Sequence, residues 1–440
     1  MTILLLKKIK STNPYKLYLI GLLLIFIFRW SYRLRNATIW AEDGAVFLQD
    51  AFKFGTKSLF MPYEGYFHTL PRMAAFVASL FPTILTPYFL VFICFIVTYY
   101  VISNILNKYY EWILPDVHAR GILMLLIAIA PGTTEAFGNI ANIHWILYLY
   151  MGLLGLRSIE YKFRIWDLIF AGIAISTEGA VITLLPLFLV RLFFHFLMKR
   201  KTQYYIQESC IILLILFVAF VNFSLRTDQS SIGIQINLLF NVYFKSMLAE
   251  SLSFPWLYVF PYTIFAKFWI IPSLILLILP IIFLRKSFTL KANIIIPIVF
   301  FLCFWLLQPL IVLARNDNIT LVLTHNDHGW TPDTWLNFRY SFLICSCGYI
   351  FWIWIISFIY SINKKTAKIF FSLNIFIALV SCVNSYLFVH PCLKINSWVT
   401  NSKKIDEVRK NIDKKFIEIP IEPEHWKMKI GNGDQMVNPD

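Results

Sequence analysis

Stretches of about twenty apolar residues recur along this chain, and they constrain it to a bundle of helices. Crossing the ~30 Å hydrocarbon core of a bilayer takes about 20 helical residues, fewer where a helix is packed inside protein. Such runs lie near 16 to 35, 86 to 107, 119 to 133, 143 to 158, 165 to 178, 180 to 198, 206 to 225, 266 to 284, 292 to 314, 340 to 360 and 369 to 389. They predict about eleven spans and an all-α polytopic membrane protein. Hydrophobic residues make up 59% of the 440 and charged residues only 14%, a balance that excludes an ordinary soluble core.

The basic residues follow these runs. Lys7, Lys8, Lys10 and Lys16 stand at or before the first one. Lys108 and Arg120, Arg157 with Lys162 and Arg164, Lys199 to Lys201, Arg285 with Lys286 and Lys291, and Lys364 with Lys365 and Lys368 fall on alternate connections. The excess of Lys and Arg predicts that these loops and the N-terminus are cytoplasmic. The formal net charge of +15 is therefore a topology signal and a contact with anionic lipid rather than a nucleic-acid footprint. Seven cysteines, Cys94, Cys210, Cys303, Cys345, Cys347, Cys382 and Cys392, lie mostly in apolar runs and read as core residues, not a disulfide frame. The first run has no small-residue cleavage site and is expected to remain as an anchor.

Five stretches are left for the far side: 36 to 85, 134 to 142, 226 to 265, 315 to 339 and 390 to 440. The division expected is a membrane domain over 1–389 and a far-side tail over 390–440. Leu70 to Phe81, closed by Pro82 and Pro87, predicts a short interfacial helix. Ile234, Leu238, Val242 and Lys245 repeat the pattern ahead of Phe254-Pro255-Trp256. No internal repeat at a fixed period is visible, which disfavours an inverted-repeat transporter.

The far-side stretches carry the candidate chemistry. Glu42 and Asp43 are adjacent carboxylates within about ten residues of the first run's end. Paired like charges at an apolar boundary suit proton acceptance; the structural alternative is that Asp43 caps a helix. Asp50, further on, reads as a solvated helix position. In Tyr63 to Arg72, Tyr66 and His68 suit a sugar ring and the Arg72 fork suits a phosphate, against an aromatic belt with a snorkelling arginine. Glu135, Asn139, Asn142, His144 and Trp145 stand where a run re-enters the membrane, a depth at which polar groups face a cavity or a satisfying neighbour. Glu178 is a further far-side acid, read as a ligand for acceptor hydroxyls. In the loop from 315, His325, Asp327 and His328 do not define a metal site, and none is assigned. Arg339, followed by Tyr340, is a charge at the lip of a span, where a lipid phosphate would pair it, against an ordinary snorkelling arginine.

Ala41-Glu42-Asp43-Gly44, Gly65-Tyr66-Phe67-His68 through Pro71-Arg72, Asn142-Ile143-His144-Trp145 and Arg339-Tyr340 resemble strings of the phage-type serotype-converting O-antigen glucosyltransferases, within the multi-span GT-C superfamily. The resemblance covers the architecture of the whole chain, but only these short strings are specific. It implies a GT-C-like helical bundle in a bacterial inner membrane, with a periplasmic site. The donor implied is an undecaprenyl-phosphate-linked sugar, commonly glucose, and the acceptor is lipid-linked O-antigen. A flippase and a donor-synthesising enzyme would supply the donor, with no cofactor, metal or nucleic acid. Members also use lysines of a periplasmic tail, for which Lys403, Lys404, Lys414 and Lys415 are available here. The chemistry expected is inverting: Glu42 or Asp43 takes the acceptor proton while Arg72 and Arg339 stabilise the departing phosphate. Tyr66, His68, Asn142, His144, Trp145, Glu178 and Tyr340 would hold the sugars. An O-antigen polymerase and a flippase or transporter of lipid-linked glycan are the alternatives.

Overall fold

A computed structural model describes residues 13–35, 39–130, 136–225, 292–307, 339–369, 371–372, 375–376, 398–410, 417–422 and 426–431. It is mostly helical: α1 (Pro14–Arg35), α2 (Thr69–Ser79), α3 (Thr86–Ser103), α4 (Val117–Ala128), α5 (Ile143–Leu156), α6 (Ile165–Thr177), α7 (Leu185–Leu197), α8 (Thr202–Ser224), α9 (Ala292–Leu302), α10 (Arg339–Ile362) and α11 (Trp398–Lys410). Strands β1 (Ile417–Pro420) and β2 (Lys427–Ile430) form one antiparallel hairpin.

Local chemistry sets several helix starts. Pro87 and Pro186 sit in the first turns of α3 and α7, where a missing N–H costs nothing. The Asp116 side chain accepts the His118 amide at 3.1 Å and caps α4. Asp167 accepts the Arg164 amide at 2.9 Å at the head of α6.

Three described helical stretches, Thr83–Leu106, Gly179–Leu197 and Thr202–Ser224, are long and apolar enough to cross a membrane. The helices over 117–128, 143–156 and 165–177 are shorter, and α5, at 1.5 Å per residue, is only about 21 Å long. The expected run at 266 to 284 lies outside the described residues, as does most of 369 to 389. The helical runs turn large apolar side chains outward, among them Leu24 and Phe28 on α1, Phe92 on α3, and Phe217, Phe220 and Phe223 on α8. Every residue of α5 is buried, as its all-round apolar sequence requires. It forms the axis of the core, with α3, α6, α7, α9 and α10 packed around it.

The two ends of α5 differ. At its C-terminal end the connections 104–118, 157–164 and 198–207 meet. Tyr15 donates to Asn107 (3.3 Å), the Ser158 amide donates to the Tyr109 carbonyl (2.9 Å), and Gln207 bonds the backbone of Phe163. The basic loops expected on alternate connections from Lys108 to Lys201 thus share one end. Buried ion pairs staple it: Arg157 to Asp167 (2.7 Å) and Arg191 to Glu208 (2.8 Å), with Arg191 also donating to the Gly155 and Arg157 carbonyls that close α5. The other end of α5 carries the candidate site.

Candidate functional site

Four chain segments converge at the N-terminal end of α5, held by hydrogen bonds between residues far apart in sequence. The first begins at Ala41, whose φ of 36° is unusual for a residue with a Cβ. A wide π-type turn follows over Asp43–Leu48, then a short helix Gln49–Phe54; such turns are frequent at functional sites. The chain does turn helical here, but Asp43 does not cap it locally. Its Oδ1 accepts the Ala141 amide at 2.8 Å and its Oδ2 the Ile140 amide at 3.1 Å. Asp43 is therefore buried and committed to holding the 139–141 loop. Glu42 is half-buried, and its buried Oε2 has no hydrogen-bond partner among the described residues.

The second segment is α2, spanning 69–79 where the periodicity predicts 70–81. His68 precedes it in a left-handed conformation, φ 50° and ψ 46°, and two bonds pin the helix start. Thr69 Oγ1 donates to the Ser176 carbonyl (3.1 Å), and the Leu70 amide donates to Thr177 Oγ1 (3.0 Å). Tyr66 stacks on His68 with centroids 3.9 Å apart. Phe47, 1% exposed, lies against both segments: its ring centroid is 5.3 Å from that of His68, and the Arg72 guanidinium sits 5.1 Å above it.

Arg72 is 1% exposed and ion-paired to Asp50 at 2.5 Å. Asp50 is thus the counter-charge of a buried arginine, not the solvated position its spacing predicts. Arg72 Nε has no partner among the described residues.

The third and fourth segments are the start of α5 and the end of α6. Asn142 flanks α5 without capping it through its side chain; its amide donates to Asn139 Oδ1 at 3.3 Å, and Asn139 Nδ2 is buried with no partner among the described residues. His144 contacts Trp145 (4.6 Å), His68 (6.0 Å) and Tyr66 (6.5 Å) through its ring. Its Nδ1 bonds Glu178 Oε2, while Glu178 Oε1 accepts the Ala180 amide at 2.6 Å. Glu178 therefore spends its oxygens on protein groups, whereas the sequence reads it as a direct ligand for hydroxyls.

The structure brings Tyr66, His68, His144, Trp145 and Glu178 into one cluster, and Asp43 ties Glu42 to the loop that leads into it. Phe342 of α10 packs on Phe137 (5.5 Å), so α10 also starts at this end. The side chains of Arg339 and Tyr340 lie outside the described residues, as do Glu135, His325, Asp327 and His328. Among the described residues no group of three His, Cys, Asp or Glu side chains is placed to hold a metal.

The tail closes over the first segment, a contact with no sequence signal. Glu422 forms a parallel bridge with Trp40, its amide donating to the Ile39 carbonyl (3.1 Å) and its carbonyl accepting the Ala41 amide. The Lys429 amide donates to Gln49 Oε1 at 2.6 Å. On α11, Asp406 accepts from Thr83 Oγ1 (2.5 Å), and Arg409 donates to the Ser79 carbonyl (2.8 Å) above the Phe52 ring (4.0 Å). Gly44 makes the fit possible: a Cβ there would lie 2.7 Å from Ile39 Cγ2 and 2.8 Å from Ile421 Cδ1. Lys403 and Lys404 are exposed on α11, while Lys414 and Lys415 lie outside the described residues. No protein-family model, curated protein or solved structure matches this chain.

Proposed function

We propose that the protein is a membrane-embedded glycosyltransferase of the GT-C type. It would move a sugar, most readily glucose, from undecaprenyl phosphate to lipid-linked O-antigen with inversion, on the periplasmic side of a bacterial inner membrane. The observation that carries this reading is the division of labour between two adjacent acids. Asp43 accepts two backbone amides, while Glu42 beside it keeps a buried oxygen without a partner among the described residues. An acid held so is suited to take a proton.

In the proposed reaction the acceptor hydroxyl gives its proton to Glu42 as its oxygen attacks the anomeric carbon. The bond from that carbon to the phosphate oxygen breaks on the opposite face, and the lipid phosphate leaves with the electron pair. Being a good leaving group, it needs no general acid. Arg72 and Arg339 supply the positive charge that steadies it, an effect enlarged where water is excluded. The stacked Tyr66 and His68 would offer faces to a sugar ring, and Asn142 and Trp145 its hydrogen-bonding edge.

The groups assigned to transfer gather at one end of α5, while the buried charges at its other end are paired with one another; this favours a one-sided enzyme site over a flippase pathway, which would place charges at mid-membrane. The test is to supply purified protein with undecaprenyl-phosphate-[14C]glucose and lipid-linked O-antigen and to determine the product's anomeric configuration by NMR. Transfer with inversion is expected; transfer with retention, or none by folded protein, overturns the reading.

A further inference from the structure

His144 and Glu178 contact each other directly, 34 residues apart in sequence. Glu178 lies between α6 and the turn Gly179–Leu184, with Oε1 fixed by the Ala180 amide and Oε2 facing His144 Nδ1. A carboxylate has no proton to give, so in the neutral ring Nδ1 carries the proton and Nε2 keeps its lone pair. Nε2 has no protein hydrogen-bond partner among the described residues, and the residue retains 9% exposure. The neighbouring rings are Trp145, Tyr66 and His68, the last two stacked on each other. A lone pair beside stacked ring faces fits a sugar, whose C–H face packs on the rings while a hydroxyl donates to the nitrogen.

We propose that Glu178 is a positioning residue that fixes His144 in the Nδ1–H form, and that His144 Nε2 accepts a hydrogen bond from an acceptor-sugar hydroxyl next to the attacking one. The pair then determines which hydroxyl reaches the donor. No bond is made or broken at His144; the proton released in transfer goes to Glu42. The acceptor part of this inference rests on the transferase reading, whereas the tautomer does not.

The discriminating change is Glu178→Gln. The Ala180 amide requires an acceptor, so the new carbonyl oxygen stays with it and the NH2 turns toward Nδ1. Nδ1 must then accept, and the ring proton moves to Nε2. Size and bond count are kept while the polarity at Nε2 is reversed. Long-range 15N–1H correlation of the histidine rings in the full-length protein in detergent reads this directly, with His144 assigned by its loss in His144→Gln. The expected result is Nδ1–H in the wild type and Nε2–H in Glu178→Gln. In transfer from undecaprenyl-phosphate-glucose, the KM for lipid-linked O-antigen is expected to rise roughly 10- to 100-fold in Glu178→Gln and in His144→Gln, with the donor KM unchanged. Nε2–H in the wild type, or an acceptor KM unmoved in either variant, overturns the proposal. A folded wild type that transfers nothing from this donor would defeat the transferase reading and with it the acceptor role. The two spectra would still decide what Glu178 does to the ring.

Discussion

Asp43 Oδ1 accepts the backbone amide of Ala141 at 2.8 Å across 98 positions of sequence, and its second oxygen takes the Ile140 amide beside it. One carboxylate thus locks the first loop to the approach of α5. Removing charge and one acceptor with Asp43→Asn leaves an amide donor facing a backbone N–H, at a cost of roughly 1–3 kcal/mol. A lower Tm in detergent is expected, with activity lost in proportion to the folded fraction. An unchanged Tm would remove Asp43 from its structural role.

Asp50 is expected to be the costlier of the two aspartates. Asp50→Asn strands the Arg72 guanidinium, 1% exposed and otherwise over the Phe47 ring. Breaking a buried pair from one side typically costs about 3–5 kcal/mol. The double change Asp50→Asn/Arg72→Met should recover much of that loss in thermal unfolding, because no uncompensated charge remains. Equal Tm values for single and double variants would contradict the pairing.

Gly44→Ala is expected to lift the tail hairpin, since the new methyl group would collide with Ile39 and Ile421. Met428 is fully buried in that hairpin, so its rate of oxidation by dilute peroxide reports docking. The variant should oxidise faster at Met428 by mass spectrometry. Equal rates would show that the tail is not seated on the Gly44 turn.

The same hairpin gives a pH dependence. Lys427 donates to Glu418 at 2.8 Å, and this hydrogen bond, followed by the lysine's charge, holds the Glu418 carboxyl below its ordinary value. A carboxyl depressed on folding stabilises above its unfolded pKa, about 4.3, and loses that contribution as pH falls through the folded value. Protection factors of the β1 and β2 amides, which remove the intrinsic pH dependence of exchange, should therefore fall on acidification below about pH 4, less so in Glu418→Gln. Protection factors that do not change with pH would exclude the pair.

Much of the framework could be read from the residues. Apolar runs at 86 to 107, 143 to 158 and 206 to 225 give α3, α5 and α8 within a few residues, because hydrophobic length and nearby prolines or basic loops mark helix ends locally. Glu42-Asp43 and His144 stand out because polar groups next to apolar runs are costly. What the sequence does not expose is partner choice. Nothing near Asp50 names Arg72, which lies 22 positions on, and nothing in Glu422 announces a backbone bridge to Trp40. Glu208 does carry a signal, a carboxylate inside an apolar run that must find a counter-charge; Arg191 provides it from the preceding helix. Phe47, which packs between His68 and Arg72, looks like any other apolar residue in a chain containing 42 phenylalanines.

The most direct measurement compares Glu42→Gln with the wild type for transfer of [14C]glucose from undecaprenyl-phosphate-glucose to lipid-linked O-antigen, with folding followed in the same samples. Loss of a placed base predicts a drop in kcat of about 100- to 10,000-fold at an unchanged Tm. Wild-type turnover by a folded Glu42→Gln variant would contradict the assignment of Glu42 as the base.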